Sequence, residues 1–248
     1  MGILFTVAYE GTNYSGWQEQ AEGKTVAGTL KTAVEDVLGC KVKMLGASRT
    51  DAGVHAAGQK AHIITDKPSR VPVFKLPKVL NAELPDDIAV TAAHETADTF
   101  HPIKDALSKT YSYKIWNDIY RNPLVHAFSA WEQSPLNFEL MQATCEHFIG
   151  EHDFSSFCAA GSSATTNIRR INSLSVNCQD NLIDITINGN GFLYNMVRII
   201  AGTLTDVGMG KIAPADIPDI INAKDRTKAG KTMPASGLTL LEVFYENY

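Results

Sequence analysis

Cysteine is sparse in this chain of 248 residues: Cys40, Cys145, Cys158 and Cys178 are scattered, and no two form a C-x-x-C pair. Reduced thiols in a cytoplasmic protein account for that usage. The seven histidines include no H-E-x-x-H, and His147 and His152 are not one helical turn apart, so no metal site is expected. There is no G-x-S-x-G nucleophile elbow. Ala229-Gly230-Lys231-Thr232 resembles the end of a phosphate-binding loop, but Asp225 stands where its first glycine belongs and no strand precedes it. ATP binding is rejected, and the segment reads as a basic, mobile loop. Nothing else points to a nucleotide cofactor. No apolar run is long enough to span a bilayer, and no basic stretch followed by an apolar one opens the chain. Met1 to Thr6 fits a myristoylation pattern, but Ile3 to Val7 reads as a buried first strand. Asn13-Tyr14-Ser15 fits a glycosylation pattern, which without a secretion signal carries no weight. Positive charge is also in deficit: 22 Lys and Arg against 27 Asp and Glu give a net charge of −5. That argues against a generally basic nucleic-acid binder and leaves room for a local basic cleft.

What is present is an ordinary globular composition, 44% hydrophobic and 20% charged, enough for one large domain or two modest ones. Ile3 to Tyr9 is β-rich and reads as a strand. Gly11 to Gly23 is a polar loop with Trp17 as a core plug beneath it. Thr25 then caps a helix through Val26, Leu30, Val34, Val37 and Leu38, closed by Gly39. Strands follow at 41–45 and 59–65, a Pro-punctuated helix at 73–84, and a fourth strand at 88–94. This strand-helix-strand-strand-helix-strand order is the ferredoxin-like alternation. Residues 100–106 cross to a second half. It holds a strand at 109–116, a helix starting at Ser134-Pro135 and ended by Gly150, and a hairpin of 170–176 with 182–187 turning at Asp180-Asn181. Helices over 192–207 and 215–223 and a closing strand at 238–245 complete it. In the 134–150 helix, Leu136, Leu140, Met141, Cys145, Phe148 and Ile149 are expected on one face. The fold class is therefore α+β, two ferredoxin-like halves sharing a mainly antiparallel sheet, with helices packed on one face.

The stretch from Gly46 to Ala56 is the centre of the sequence. Arg49 and Asp51 stand at i and i+2, which share a face in extended backbone, and small residues flank them on both sides. Tyr111 and Tyr113 share a face of their strand in the same way. On their own they are half-buried sheet residues. Lysines and arginines gather at 60–78 (Lys60, Lys67, Arg70, Lys75, Lys78) and 224–231 (Lys224, Arg226, Lys228, Lys231). Each run alone is a solvated surface. Together, with aromatics near Tyr111, they suit a phosphate backbone held over a stacking site.

Six blocks, in this order, carry a family resemblance over nearly the whole chain. They are Tyr14-Ser15-Gly16-Trp17-Gln18-Glu19-Gln20, Ser48-Arg49-Thr50-Asp51-Ala52-Gly53-Val54-His55-Ala56, Lys109-Thr110-Tyr111-Ser112-Tyr113, Asp153-Phe154-Ser155-Ser156-Phe157, Gly191 to Arg198, and Pro234-Ala235-Ser236-Gly237-Leu238. The chain resembles the tRNA pseudouridine synthase A family. The resemblance implies isomerisation of uridine to pseudouridine at tRNA positions 38, 39 and 40, in the anticodon stem-loop. It implies a cytoplasmic homodimer without cofactor or metal, with an active cleft between two α/β halves, here residues 1–104 and 105–248. Carried over by motif, Asp51 is the catalytic carboxylate and Arg49 orients it or holds the displaced nucleotide. Tyr111 stacks on the target base near C5, Arg198 pairs with Asp51, and Leu238 seals the apolar floor. Arg169 and Lys104 are assigned to substrate binding.

Some positions depart from the family pattern. Met233 replaces an alanine, Ala27 a glutamine and Ser48 a glycine. Pro102-Ile103-Lys104 replaces Ala-Arg-Phe, so Lys104 stands in for a lost arginine contact to RNA. The rival reading is an RNA-binding protein without catalysis, in which a lone carboxylate on a phosphate-attracting surface has no place. A carboxylate-based glycosidase needs two acidic residues flanking the bond, and these motifs supply one.

Overall fold

The computed structural model describes residues 1–246 and 248, which form two units, residues 1–107 with 240–248 and residues 108–239. The first unit opens with β1 (Gly2–Tyr9), whose Ile3, Leu4 and Phe5 are all buried. Helix α1 (Val26–Leu38) has the expected ends. Thr25 Oγ1 accepts from Gly28 N at 3.2 Å, and Gly39, at φ 65°, closes it in the left-handed region. Val26, Leu30 and Val34 form its buried stripe. Strands β2 (Lys43–Gly46) and β3 (His55–Ile64), helix α2 (Leu76–Glu83) and strand β4 (Ile88–Thr96) follow. The strand order β4-β1-β3, with β2 on the far side of β3, is antiparallel throughout. This is the split βαβ arrangement expected for the first half. Pro77 fits because residues 73–75 form a 3-10 turn and the α-helix restarts at Leu76, putting Pro77 in its first turn.

The second unit runs β5 (Ser108–Asn117), β6 (Ala130–Glu132), α3 (Phe138–Thr144), β7 (Gly150–Asp153), β8 (Ile168–Gln179), β9 (Leu182–Gly189), α4 (Met196–Gly208) and α5 (Ile217–Ala223). Strand β10 (Leu238–Phe244) closes the chain's secondary structure. The order β5-β9-β8-β7 is antiparallel, and β6 pairs in parallel with β5. β5-β9-β8 repeats the first-third-second order of β1-β3-β2. The hairpin turns at Asp180-Asn181 as expected, with Asp180 at φ 54° between paired Gln179 and Leu182. Among the described residues no helix is long and apolar enough to cross a membrane.

Four local expectations are corrected. The helix expected from Ser134-Pro135 starts at Phe138, capped by Asn137, whose Oδ1 accepts from Leu140 N at 2.9 Å. Residues 134–136 are committed elsewhere: Asn117 Nδ2 donates to Ser134 O (2.7 Å) and its Oδ1 accepts from Leu136 N (3.2 Å). That helix also ends early, passing into a 3-10 turn over Cys145–Phe148, and Gly150 opens β7 at φ 111°. Met141, Cys145 and Phe148 are buried, but Leu140 and Ile149 are exposed. The helix expected from Phe192 begins at Met196, because Asn195 takes left-handed backbone at φ 60° and ends the preceding turn. The basic loop near Gly230 is a packed segment. Gly230 N donates to Thr203 Oγ1 at 2.9 Å, and a Cβ on Gly202 would lie 1.9 Å from Lys231 O. Only glycine on α4 permits that approach.

Candidate active site

Asp51 lies in the loop between β2 and β3, and the first unit braces that loop on several sides. The buried Gln59 side chain accepts from Ser48 N at 3.2 Å and donates to Ser48 O at 2.7 Å. Ala47 N donates to Lys60 O (2.8 Å). Thr50 is buried. Its Oγ1 shares a 2.7 Å hydrogen bond with the Tyr9 hydroxyl, and its carbonyl accepts from Trp17 N at 3.0 Å. Gly16 sits against the same carbonyl: at φ 93°, with a Cβ only 2.7 Å from Thr50 O, no side chain fits there. Trp17 is the core plug expected of it, 2% exposed. The buried Thr50 lies between an exposed Arg49 and a half-buried Asp51. Val54 N donates to Asp51 O (3.1 Å), closing a turn through Gly53 at φ 79°. The backbone on either side of Asp51 is thus held from within the first unit.

The second unit holds Tyr111, Arg198, Arg169 and Leu238. Tyr111 and Tyr113 share a face of β5 and both are buried. The Tyr113 hydroxyl donates to Pro234 O at 2.7 Å. Burial raises that phenol above its ordinary value, opposed by the nearby Arg198 charge. Tyr113 is thus a structural residue. The Tyr111 ring meets Phe192 edge-on, centroids 5.2 Å apart at 85°, which fixes the ring plane. Arg198, on the first turn of α4, donates from Nε to Met233 O and from Nη1 to Asn195 Oδ1, both at 2.7 Å. The family departure at Met233 therefore leaves this anchor intact, since Met233 acts through its backbone. Leu238 is buried and follows Gly237, where a Cβ would stand 2.6 Å from the Tyr113 ring. Arg169 Nη1 donates to Thr166 O (2.8 Å) and Ile168 O (2.6 Å), and burial pulls its guanidinium below the usual arginine value.

Lys104 is exposed in the first unit, its backbone N–H directed at His101 Nδ1 at 3.4 Å. The residues flanking it are structural, with Pro102 O accepting from the Tyr245 hydroxyl at 2.7 Å. Part of the basic character expected of the two lysine and arginine runs is already engaged, chiefly in the second run. Lys60 Nζ donates to Thr6 Oγ1 (2.8 Å), Lys224 pairs with Asp153 (3.0 Å) and Lys231 with Glu132 (3.3 Å). Arg226 reaches Ala229 O and Thr232 Oγ1. Among the described residues no group of three or more His, Cys, Asp and Glu side chains is gathered as for a metal ion. Sequence reasoning missed the supporting residues Gln59, Asn195 and Phe192. Phe192 and Asn195 had a signal, since both stand in the family block from Gly191 to Arg198; Gln59 had none.

A family model described as tRNA pseudouridine synthase matches residues 6–103 and 144–246. The tRNA pseudouridine synthase A of Caldicellulosiruptor saccharolyticus is 47% identical over 243 residues, covering 98% of this chain and 99% of that protein. Those of Thermoanaerobacter pseudethanolicus and Pelobacter propionicus are 45% and 44% identical with the same coverage. Among solved structures, a chain of a Cbf5-Nop10-Gar1 complex overlays with a TM-score of 0.35 at 11% identity, covering 97% of this chain and 59% of that one. That overlay is too loose to bear on fold or function. Matched over both segments by the family model and over nearly its full length by the relatives, the chain belongs to the tRNA pseudouridine synthase family, enzymes that isomerise uridine in tRNA to pseudouridine.

Proposed function

We propose that this enzyme acts on uridines 38, 39 and 40 in the anticodon arm of tRNA, as a cytoplasmic homodimer using no cofactor, with Asp51 as its catalytic group. The observation that carries the assignment of Asp51 is the bracing of its loop by Gln59, Tyr9 and the Trp17 backbone, around a carboxylate left half-buried. The reaction breaks C1′–N1, with the bonding pair leaving on N1, and positive character develops at the sugar. A fixed carboxylate either traps C1′ or removes the C2′ proton to give a glycal. The detached base rotates and C5 bonds to C1′, expelling the carboxylate where it had trapped C1′ or, on the glycal route, with the carboxyl proton returned to C2′. The C5 proton is then lost and N1 gains one, so the product is an isomer of the substrate.

The base must stay enclosed throughout, which is the part given to Tyr111 and Leu238. The Tyr111 hydroxyl is the proposed acceptor of the C5 proton. Arg198 is proposed to keep Asp51 ionised, since a carboxylate in an apolar cleft is costly without a cation. Arg49, Arg169 and Lys104 are proposed to hold the RNA, whose target base leaves its stack at a cost of roughly a few kcal/mol.

The test is Asp51→Asn, which keeps shape and loses charge. Tritium release from C5-labelled uridine in tRNA should stop while tRNA binding persists. Continued release in that variant removes Asp51 from the chemistry. Pseudouridine mapping in tRNA from cells lacking the protein should show loss at positions 38 to 40, and loss elsewhere reassigns the target.

A further inference from the structure

The segment that follows β3 keeps its positive charge open to solvent. Residues 65–80 hold Lys67, Arg70, Lys75 and Lys78 against one acid, Asp66, in a chain whose net charge is −5. All four are exposed, and among the described residues none of their side chains pairs with a carboxylate. Among them stands Phe74, 75% exposed, with the Lys75 ammonium 5.7 Å from its ring centroid. The fold sets this ridge in place. Val73, Leu76 and Leu80 are buried at helical spacing, which turns Phe74, Lys75 and Lys78 outward. Lys75 N donates to Pro72 O at 2.8 Å, and the Thr65 and Ser69 hydroxyls close the turns that carry Lys67 and Arg70. A single exposed apolar side chain is ordinary. One set among four unpaired cations has the composition of an RNA contact, charges for phosphates and a ring for a base. The ridge also starts far from Asp51. The Asp51 loop enters β3 at His55, and the ridge leaves it after Ile64, at the other end of a strand about 30 Å long at 3.3–3.4 Å per residue. Thr65 N fixes that end by donating to Met1 O at 3.1 Å.

We propose that residues 67–78 form a second tRNA contact, in which Lys67, Arg70, Lys75 and Lys78 take backbone phosphates and Phe74 stacks on an unpaired base outside the anticodon arm. The ridge holds the body of the tRNA while the nucleotide to be isomerised is at Asp51. An acidic protein binds a polyanion in this way by concentrating positive charge where none of its own acids neutralises it. Basic side chains around an exposed aromatic also suit an anionic bilayer. Membership of a tRNA-modifying family favours RNA. The proposal rests on the reading that the anticodon arm is the part of the tRNA presented to Asp51.

The experiment is a salt titration of binding to a whole tRNA transcript and to its isolated anticodon stem-loop. It compares full-length wild type with Lys75→Gln/Lys78→Gln, Lys75→Arg/Lys78→Arg and Phe74→Ala. With whole tRNA the glutamine variant should flatten the plot of log Kd against log salt by about 1.4–1.8, the loss of two phosphate contacts, and the arginine variant should keep the wild-type slope. Phe74→Ala should weaken whole-tRNA binding roughly tenfold at the same slope. With the stem-loop all four proteins should give one slope. The substituted positions are exposed, so every variant should fold, as circular dichroism will show. An unchanged whole-tRNA slope in the glutamine variant overturns the proposal. Equal flattening with the stem-loop also overturns it, since the cations would then lie on the anticodon arm. Wild-type affinity in Phe74→Ala overturns the part given to the ring. Mixed phosphatidylserine and phosphatidylcholine vesicles that retain wild type and release the glutamine variant, with the tRNA slope unmoved, overturn it in favour of a membrane surface. Whole tRNA bound with the lysine-dependent slope, yet without pseudouridine at positions 38 to 40, sinks the anticodon-arm reading and leaves the second contact standing.

Discussion

Gln59 holds Ser48 from both sides, its side-chain amide accepting from the backbone N–H at 3.2 Å and donating to the carbonyl at 2.7 Å. The two residues belong to neighbouring segments, β3 and the loop that carries Asp51, so one amide replaces a missing rung of strand pairing. Gln59→Leu preserves bulk in a fully buried position and removes both bonds. The cost should be about 1–3 kcal/mol in urea unfolding, since the Ser48 backbone groups lose their partners. Pseudouridine formation should slow at least tenfold with tRNA affinity little changed, because the lost property is the fixed placement of Asp51. Full turnover in this variant would show that the loop needs no such brace.

Tyr111→Phe keeps the ring that meets Phe192 edge-on and removes only the hydroxyl. If the hydroxyl takes the C5 proton, tritium release should slow by about 10²-fold or more, the usual size of a general-base contribution. The tRNA Kd should stay within about twofold, since stacking is retained. Unchanged turnover would reduce Tyr111 to a stacking surface.

Legibility in the sequence followed the length of the signal. Helix α1 could be read at both ends because its cap, stripe and closing glycine are all local, in Thr25, Val26-Leu30-Val34 and Gly39. The β8–β9 hairpin was legible for the same reason. Ser134-Pro135 misled because its backbone is held by Asn117, a partner distant in sequence that no local rule detects. β6 and β7, three and four residues long, are too short to alternate. In the site, Arg49 and Asp51 were marked by spacing and by the family blocks. Gln59 acts through hydrogen bonds to the Ser48 backbone, and a glutamine in a strand carries no pattern of its own; Asn195 stands in a family block, but nothing local marks its bond to Arg198.

Asn195 does two separable things. It takes the left-handed backbone at φ 60° that starts α4, and its Oδ1 accepts from Arg198 Nη1 at 2.7 Å. Asn195→Gly keeps the backbone freedom and loses the acceptor, while Asn195→Ala loses both. The alanine variant should be less stable than the glycine variant by about 1–2 kcal/mol, the penalty for a Cβ in left-handed backbone. Both should lose activity to a similar extent if the acceptor matters through Arg198. Activity that follows stability alone would assign Asn195 to the helix start and nothing more.

Lys109 makes stability depend on alkaline pH with a sign opposite to that of the buried tyrosines. Burial, with Arg169 adding to it, lowers its ammonium from 10.5 to about 8 in the folded chain. Between those values the unfolded chain binds the proton that the folded chain has released, so stability rises with pH. From pH 7 to 10 the gain should be about 2 kcal/mol, somewhat less than the full shift at 1.36 kcal/mol per unit. Tyr113 and Tyr245, whose phenols burial raises above their ordinary values, oppose it only above about pH 10, where the unfolded phenols ionise first. Denaturant unfolding of wild type and Lys109→Met at pH 7 and 10 isolates the lysine. The difference between the two proteins should shift by about 2 kcal/mol in favour of the wild type as pH rises. The same difference at both pH values would mean that the ammonium is not burdened by its site.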